Sequence, residues 1–471
     1  MPSPAPAPER VAVRRRLARR GDLFGTAGIA VVVFAAWLWL HGGGLSRLNT
    51  PGGVAISVGR LSGLLASALL LLQVLLMARI PWMEAVWGQD TLARRHRLLG
   101  MASFYLMLGH IVTITVGYAQ SAHANLLGQA WDLLVNYPGM LLAGAGTLAL
   151  LMVVITSIRA ARRRLRYESW HLLHLYAYLG VGLALPHQLW AGTDFTASLP
   201  ATVFWWGLWG ATAAAVLAFR LVLPVTRSLR HRLRIFAVVD EGPGVTSVVL
   251  SGRALDRLGV QAGQFCQWRF LAGPGRTHSH PYSLSAPPTA NRIRITVKDL
   301  GDGSAALAGL PVGTRVLFEG PHGALTADRR RRRDALLIGA GIGITPLRAL
   351  AERIAFEAPG PDWNGVRRPA VTVLHRISTP AGALFATEFA ELGRRADVVT
   401  VPIPGRRGPG SSFLPGPGPI DASATLYRLV PDLREREVYL CGPGAFMEEV
   451  RSVLRAAGVP ANQVHAEEFA W

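Results

Sequence analysis

Six long apolar runs in the first half of the chain limit its fold more than any other feature. They lie at about 23–41, 54–78, 98–119, 138–158, 169–189 and 202–224, whereas residues 231–471 hold nothing comparable. Each run approaches the ~20 residues that cross ~30 Å of hydrocarbon. Arginine placement sets their orientation. The N-terminal tail, 79–97, 159–166 and 220–234 carry six, four, five and five Arg, and the alternate loops 41–53, 120–137 and 190–201 carry only Arg47. The positive-inside rule reads this alternation as six spans with both termini cytoplasmic, in a multi-pass cell-membrane protein. The formal charge of +20 is then mainly a topology signal, and with no reading motif beside it no nucleic-acid partner is expected. Half of the residues are hydrophobic and only 17% are charged, which argues against a disordered or purely soluble chain. Cys266 and Cys441, the only cysteines, cannot build a disulfide scaffold, a Cys₄ zinc site or a cysteine-ligated iron–sulfur cluster. Pro2–Pro8 is Pro/Ala-rich and expected to be disordered. Arg14–Arg20 before the first run resembles a secretory or twin-arginine signal, but losing that run would spoil the loop alternation, so an uncleaved first helix is expected.

Ionisable groups inside a bilayer are functional candidates. The third run has His96 at its cytoplasmic mouth and His110 deeper; the fifth has His171, His174 and His187. His96 to His110 and His174 to His187 are about 21 and 20 Å along a helix at ~1.5 Å per residue. Two helices offering imidazoles at matched depths suit two stacked haems, one per leaflet, since imidazole is an ordinary axial haem ligand. Rotation is less clear. At ~100° per residue His96 and His110 share a face, but His174 and His187 fall about 140° apart unless Pro186 distorts the turn. His41 and His123 lie in outer loops and are expected to be solvated. Arg60, inside the second run, needs an anion if buried, and a haem propionate is the expectation against snorkelling to headgroups.

From Leu233 to about Leu325 short alternating strands are expected at 234–240, 245–251, 263–270, 279–285, 292–298 and 314–319, a small antiparallel barrel. His280-Pro281-Tyr282-Ser283 offers an aromatic to lie on an isoalloxazine ring and a hydroxyl to bond its N5. Asp299-Leu300-Gly301-Asp302-Gly303-Ser304 leads into a short Ala-rich helix whose N–H groups, with Ser304 as cap, would seat a pyrophosphate. From Asp334 strand and helix alternate, as in a parallel sheet. Gly339-Ala340-Gly341-Ile342-Gly343-Ile344-Thr345-Pro346 follows a strand and opens a helix, a phosphate-binding turn with Pro346 in the third position. Cys441-Gly442-Pro443-Gly444 is a second such turn at the same end of the sheet. Arg329–Arg333 is expected to be a solvated linker, with docking to anionic lipid as the alternative.

The order His-Pro-Tyr-Ser, Gly-x-Gly-x-x-Pro, Cys-Gly-Pro and a C-terminal Glu-x-aromatic tail resembles the ferredoxin–NADP reductase fold. Joined to a six-span bundle with paired histidines, it resembles the ferric reductase / NADPH oxidase superfamily over about residues 22–471. Gly59-Arg60-Leu61 through Met77-Ala78-Arg79 is similar to the actinobacterial ferric-reductase-like branch. The architecture implied is a multidomain membrane protein. A disordered basic tail (1–21) precedes an all-α six-helix transmembrane bundle (22–230). An antiparallel β-barrel for FAD (231–328) and an α/β parallel-sheet nicotinamide-nucleotide domain (329–471) follow.

The resemblance implies FAD, NADPH and two haems b with two imidazoles each. His96 would pair with His174, and His110 with His187. His280, Tyr282, Ser283, Lys298, Gly303 and Ser304 would contact FAD. Gly341, Gly343, Thr345, Pro346, Cys441 and Gly442 would line the nicotinamide site, and Phe469 or Trp471 would stack on the flavin. Arg376 is a candidate for the 2′-phosphate of NADPH, with NADH as the alternative. The expected function is electron transfer from cytosolic NADPH through FAD and haems to an extracytoplasmic acceptor, a ferric chelate or oxygen. A haem-linked reductase serving a periplasmic protein partner shares these motifs. A six-span transporter with a nucleotide-binding regulatory domain is the alternative from another class. A soluble flavoprotein with a mere anchor would bind flavin without haem.

Overall fold

The computed structural model describes residues 7–46, 48–158, 167–273, 276–357, 362–363, 366–367, 369–405, 413–414 and 422–468. Phe469, Trp471, Arg47 and the five arginines of 159–166 lie outside the described residues. The chain forms two compact units: Asp22–Ile80 with Thr91–Ala218, and Met1–Gly21 with Pro81–Asp90 and Phe219–Ala470. The second unit therefore begins before the expected boundary at 231 and takes in a loop from between two apolar runs.

The helices of the first half are α1 (Ala7–His41), α2 (Gly53–Leu76), α3 (Pro81–Trp87), α4 (Gln89–Ala122), α5 (Leu126–Asn136), α6 (Met140–Ser157), α7 (Tyr167–Trp190), α8 (Leu199–Val216) and α9 (Leu223–His231). Among the described residues five helical stretches are long and apolar enough to cross a membrane: Arg15–His41, Gly53–Leu76, Gln89–Ala122, Met140–Ser157 and Leu199–His231. The fifth expected span, α7, has 24 residues, but His174, His187, Pro186, Gln188 and three tyrosines dilute its apolar character, and it is not one of the five. The polar groups that make α7 a candidate ligand helix are what weaken its hydropathy signal. Small residues set the helix spacing. A Cβ on Gly146 of α6 would come 2.7 Å from the Gly180 carbonyl oxygen of α7, and one on Gly180 3.0 Å from that of Gly146. Such close backbone approach is how helices pack where apolar side chains gain nothing by leaving lipid.

The flavin-type lobe has β1 (Arg234–Gly242), β2 (Val245–Ser251), β3 (Phe265–Phe270), β4 (His280–Ser283), β5 (Arg292–Lys298) and β6 (Val316–His322). All six expected strands are present. They form two three-stranded antiparallel sheets, β1-β2-β5 and β4-β3-β6, rather than one continuous barrel. Single bridges, Arg234 to Arg315 and Leu284 to Ile295, are the only backbone pairs between them among the described residues. Val248, Leu250, Trp268, Leu284, Ile295 and Phe318 fill the space between the sheets.

The last lobe holds β7 (Ala335–Ala340), β8 (Val371–Arg376), β9 (Val398–Ile403), β10 (Glu437–Gly442) and β11 (Val464–Glu468). They form a parallel sheet in the order β9-β8-β7-β10-β11. Helices α10 (Ile344–Glu357), α11 (Ala386–Arg395), α12 (Ala422–Leu429) and α13 (Gly444–Ala456) accompany it, with apolar clusters on both faces. Strand order reverses between β7 and β10, and open α/β sheets bind ligands at the carboxyl ends of strands flanking such a switch point. The Arg329–Arg333 run is not simply a linker. The Arg330 side chain is fully buried and paired with Glu357 at 2.8 Å. Arg329 donates to the Ala85 and Val86 carbonyls, and the Arg331 and Arg332 N–H groups donate to Glu437.

Candidate functional site

In the helical unit the long helix α4 carries both His96 and His110, and α7 carries both His174 and His187. The His96 and His174 rings lie 6.0 Å apart between centroids, at 63°. Two metal–imidazole bonds of about 2 Å plus two ring radii span roughly 6 Å, so the separation of this pair fits one iron held between the rings. His171 is exposed and His174 half-buried, which singles out His174 as the partner.

The hydrogen bonds favour ligation as well. His96 Nδ1 donates to the Gln73 carbonyl at 3.2 Å and His110 Nδ1 to the Gly59 carbonyl at 2.8 Å. A carbonyl only accepts, so Nδ1 carries the proton and Nε2 keeps the lone pair that a metal needs. Both acceptors belong to α2 and lie 14 residues apart, as the two histidines do on α4. One helix thereby orients two imidazoles at two depths. His174 Nδ1 meets Ser157 Oγ at 3.3 Å, and the Trp170 indole N–H donates to the same oxygen. Such bonds to the far ring nitrogen are the usual support of metal-bound histidine. Gly63 makes room for His110, since a Cβ there would come 2.6 Å from its Nδ1. The sequence reading missed these supports, although Gly59-x-x-x-Gly63 is a small-residue stripe that marks a close helix contact.

Arg60 has a different anion from the one expected. Its Nε donates to Asp194 Oδ2 at 2.9 Å, and Nη2 reaches Asp194 Oδ1 and the Gly42 carbonyl. The chain's own carboxylate takes the place foreseen for a propionate, and no sequence signal pairs residues 134 positions apart.

In the flavin-type lobe the His280 and Tyr282 rings stack at 5.9 Å on β4, and Pro281 lies opposite Gln267 of β3. The Tyr282 carbonyl accepts from the Trp268 indole at 2.8 Å, and burial pushes the Tyr282 phenol up, keeping it neutral. Ser283 is buried at the end of the strand. A Cβ on Gly303 would come 2.7 Å from the His280 ring, so the Gly-Asp-Gly turn and the His-Pro-Tyr-Ser strand meet. The expected Ala-rich helix is shorter: one turn, Asp302–Ala305, then a 3₁₀ turn. Ser304 does not cap it. Its hydroxyl accepts from the Leu300 N–H at 2.9 Å and donates to the Gly301 carbonyl at 2.8 Å, closing the turn. Lys298 ends β5, exposed, opposite Val245.

At the switch point Gly339 pairs with Cys441 across β7 and β10. Gly341 takes φ 52°, which favours glycine, and begins the 3₁₀ turn Gly341–Gly343 that feeds α10. A Cβ on Gly343 would come 2.5 Å from the Cys441 carbonyl oxygen, so the two turns touch backbone to backbone. Thr345 Oγ1 donates to the Ile342 carbonyl at 2.9 Å, and Pro346 and Gly442 are buried beside it. Cys441 is fully buried in the core beneath the turn, and burial pushes its thiol up. It packs there as a neutral thiol, and a catalytic thiolate role does not fit. His375, at the end of β8, is buried with Nε2 3.1 Å from the Gly341 carbonyl. Arg376 Nη1 donates to the Ile377, Ile403 and Gly405 carbonyls at the strand ends.

Residues 62–185 match the family described as ferric reductase like transmembrane component, and residues 247–326 match the oxidoreductase FAD-binding domain. The chain is a ferric-reductase-like transmembrane domain fused to an FAD-binding oxidoreductase module, and it is a membrane protein. His96, His110 and His174 fall inside the first match and His280 through Ser304 inside the second. Among curated proteins it is 29% identical, over 50% of this chain and 65% of the relative, to the ferredoxin reductase component of 3-ketosteroid-9-alpha-monooxygenase from Mycolicibacterium smegmatis. It is 30% identical to a flavohemoprotein from Halalkalibacterium halodurans, over 42% of this chain and 49% of that one. The chain thus spans about half to two thirds of these relatives. The FAD/NAD-binding domain of a nitric oxide dioxygenase from Vibrio cholerae aligns with 51% of this chain and 99% of its own, at 25% identity and a TM-score of 0.39.

Proposed function

We propose that this chain is a multi-pass membrane flavocytochrome that moves electrons from cytosolic NADPH to an acceptor on the other side of the membrane, with both termini cytoplasmic. The observation that carries the reading is the pair of imidazoles on α4 whose Nδ1 protons are tied to α2, with the His96 ring set against the His174 ring of α7. His96 with His174 would hold the inner haem b, and His110 with His187 the outer one. When bound, FAD takes a hydride and gives single electrons, and the haems carry those electrons onward.

The residues divide the remaining work. Tyr282 and His280 would flank the isoalloxazine, Ser283 would hydrogen-bond its N5, and Gly303 leaves room beside His280. The bare backbone of Gly341–Gly343 and the start of α10 would receive the dinucleotide phosphates. Cys441 and Gly442 close the floor of that site. With His96, His174, His110 and His187 as ligands, the haems would supply single-electron transfer to a ferric chelate, oxygen or a protein partner rather than a site that binds the acceptor at the metal.

Purified protein in proteoliposomes tests the reading. The expected result is a Soret band with sharp low-spin α and β bands, reduced by NADPH. Reduction of ferric chelate, oxygen or quinone offered in turn on the far side would then identify the acceptor. Protein that carries flavin but stays colourless in the Soret region after growth with ample haem would overturn it.

A further inference from the structure

Hydride transfer needs donor and acceptor held at about 3–3.5 Å, and a misplacement of about 1 Å costs about a hundred-fold in rate. The two lobes of the reductase must therefore be fixed against each other. One polar cluster joins them beside the strand end and the helix start assigned to the two cofactors. Arg294 of β5 donates from Nη1 and Nη2 to the two carboxylate oxygens of Glu388 on α11, at 2.8 and 2.9 Å. Arg348 of α10 approaches the same carboxylate, with Nε 2.6 Å from Oε2. Arg294 is in turn anchored on its own lobe: Nε donates to Ser285 Oγ and Nη2 to the Ser285 carbonyl, both at 3.0 Å. Ser285 is fully buried and also accepts from Thr296 Oγ1 at 2.8 Å.

The positions of these residues give the cluster its meaning. Ser285 lies two residues beyond Ser283, at the end of the flavin strand. Arg348 lies one turn after Thr345, at the start of the nicotinamide helix. A planar fork against a carboxylate fixes angle as well as distance, which a single ammonium–carboxylate contact does not. We propose that Glu388, gripped by Arg294 and Arg348, is a positioning residue that sets the lobe-to-lobe alignment for hydride transfer. Glu388 lies outside the residues assigned to either cofactor; it acts through Ser285 on one side and α10 on the other. The inference rests on the assignment of FAD to the first lobe and NADPH to the second.

The test is ferricyanide reduction by the full-length holoprotein, with NADPH carrying hydrogen or deuterium at nicotinamide C4. Glu388→Gln is expected to lower kcat about ten- to a hundred-fold, to change KM for NADPH less than about two-fold, and to raise the deuterium effect. FAD per chain should stay as in the wild type. Adding Arg294→Ala to Glu388→Ala should lower the rate little further, since one interaction is removed twice. If Glu388→Gln loses FAD, Arg348→Lys reads the same clamp from the nicotinamide side, with the same expected kcat loss. A wild-type rate per bound flavin with an unchanged isotope effect, in whichever of these variants retains FAD, would overturn the clamp. A wild-type protein that binds FAD but oxidises neither NADPH nor NADH would overturn the oxidoreductase reading and the clamp with it.

Discussion

His375 holds the Gly341–Gly343 turn through the Gly341 carbonyl. A carbonyl oxygen only accepts, so the bond to Gly341 requires a proton on Nε2 and a neutral ring is sufficient for it. Burial pushes the imidazole down to about 4, from an ordinary value of about 6.5. The unfolded chain therefore binds this proton more readily than the folded one. The stability contributed by neutral His375 is complete above about pH 6.5 and is lost as pH falls towards about 4, by at most about 3 kcal/mol. His375→Asn, which can donate the same bond without titrating, should flatten the fall in thermal unfolding midpoint across that window. An acid dependence identical to the wild type would mean that His375 does not titrate there. Cys441 supports a second expectation. Its thiol is buried and held protonated, so folded protein should resist a maleimide at pH 8. Cys441→Ala should keep NADPH oxidation within a few-fold at a stability cost of about 1 kcal/mol.

Helix α2 shows how one element organises two sites along its length. Gly59 and Gly63 bring its backbone against α4, and the Gly59 and Gln73 carbonyls take the imidazole protons. Gly63→Ala places a methyl 2.6 Å from His110 Nδ1, so the ring must move off its hydrogen bond. The expected outcome is loss of the outer haem, read as a fall of about half in haem per chain, with the inner haem spectrum intact. Full haem retention would count against the His110–His187 pair. Much of this was legible from spacing: the 14-residue step on α4 and the strand alternation of β1 to β6 are local patterns. The glycine turn at β7 was legible for the same reason. What escaped were pairings set by tertiary packing: Asp194 beneath Arg60, the carbonyls that occupy Arg376, and Glu357 against Arg330. Ser304 was misread for another reason. A hydroxyl in a tight turn has a choice of backbone partners, and here the turn N–H of Leu300 outcompeted the helix N-terminus.

At the scale of the whole chain, Pro81–Asp90, which runs from α3 into the first two residues of α4, belongs to the same compact unit as the residues from Phe219 onwards. The contact that holds it there is buried. Glu84 of α3 and His322 at the end of β6 are each under 5% exposed, with Glu84 Oε2 2.9 Å from His322 Nδ1. The Arg329 guanidinium caps the Ala85 and Val86 carbonyls nearby. Removing one member of such a pair leaves a desolvated polar group behind, at a cost of about 3–5 kcal/mol, whereas replacing both with apolar side chains of similar volume is often neutral. Glu84→Ala should therefore lower the unfolding midpoint of the flavin-binding unit, followed by flavin fluorescence on release. Glu84→Met combined with His322→Leu should recover most of the loss. A reductase fragment beginning at Phe219 lacks α3 and should show the same deficit, repaired in part by fusing residues 81–90 to it. If the fragment alone unfolds at the same temperature as the unit in the intact chain, the α3 contact contributes nothing to its stability. The loop would then be only a tether.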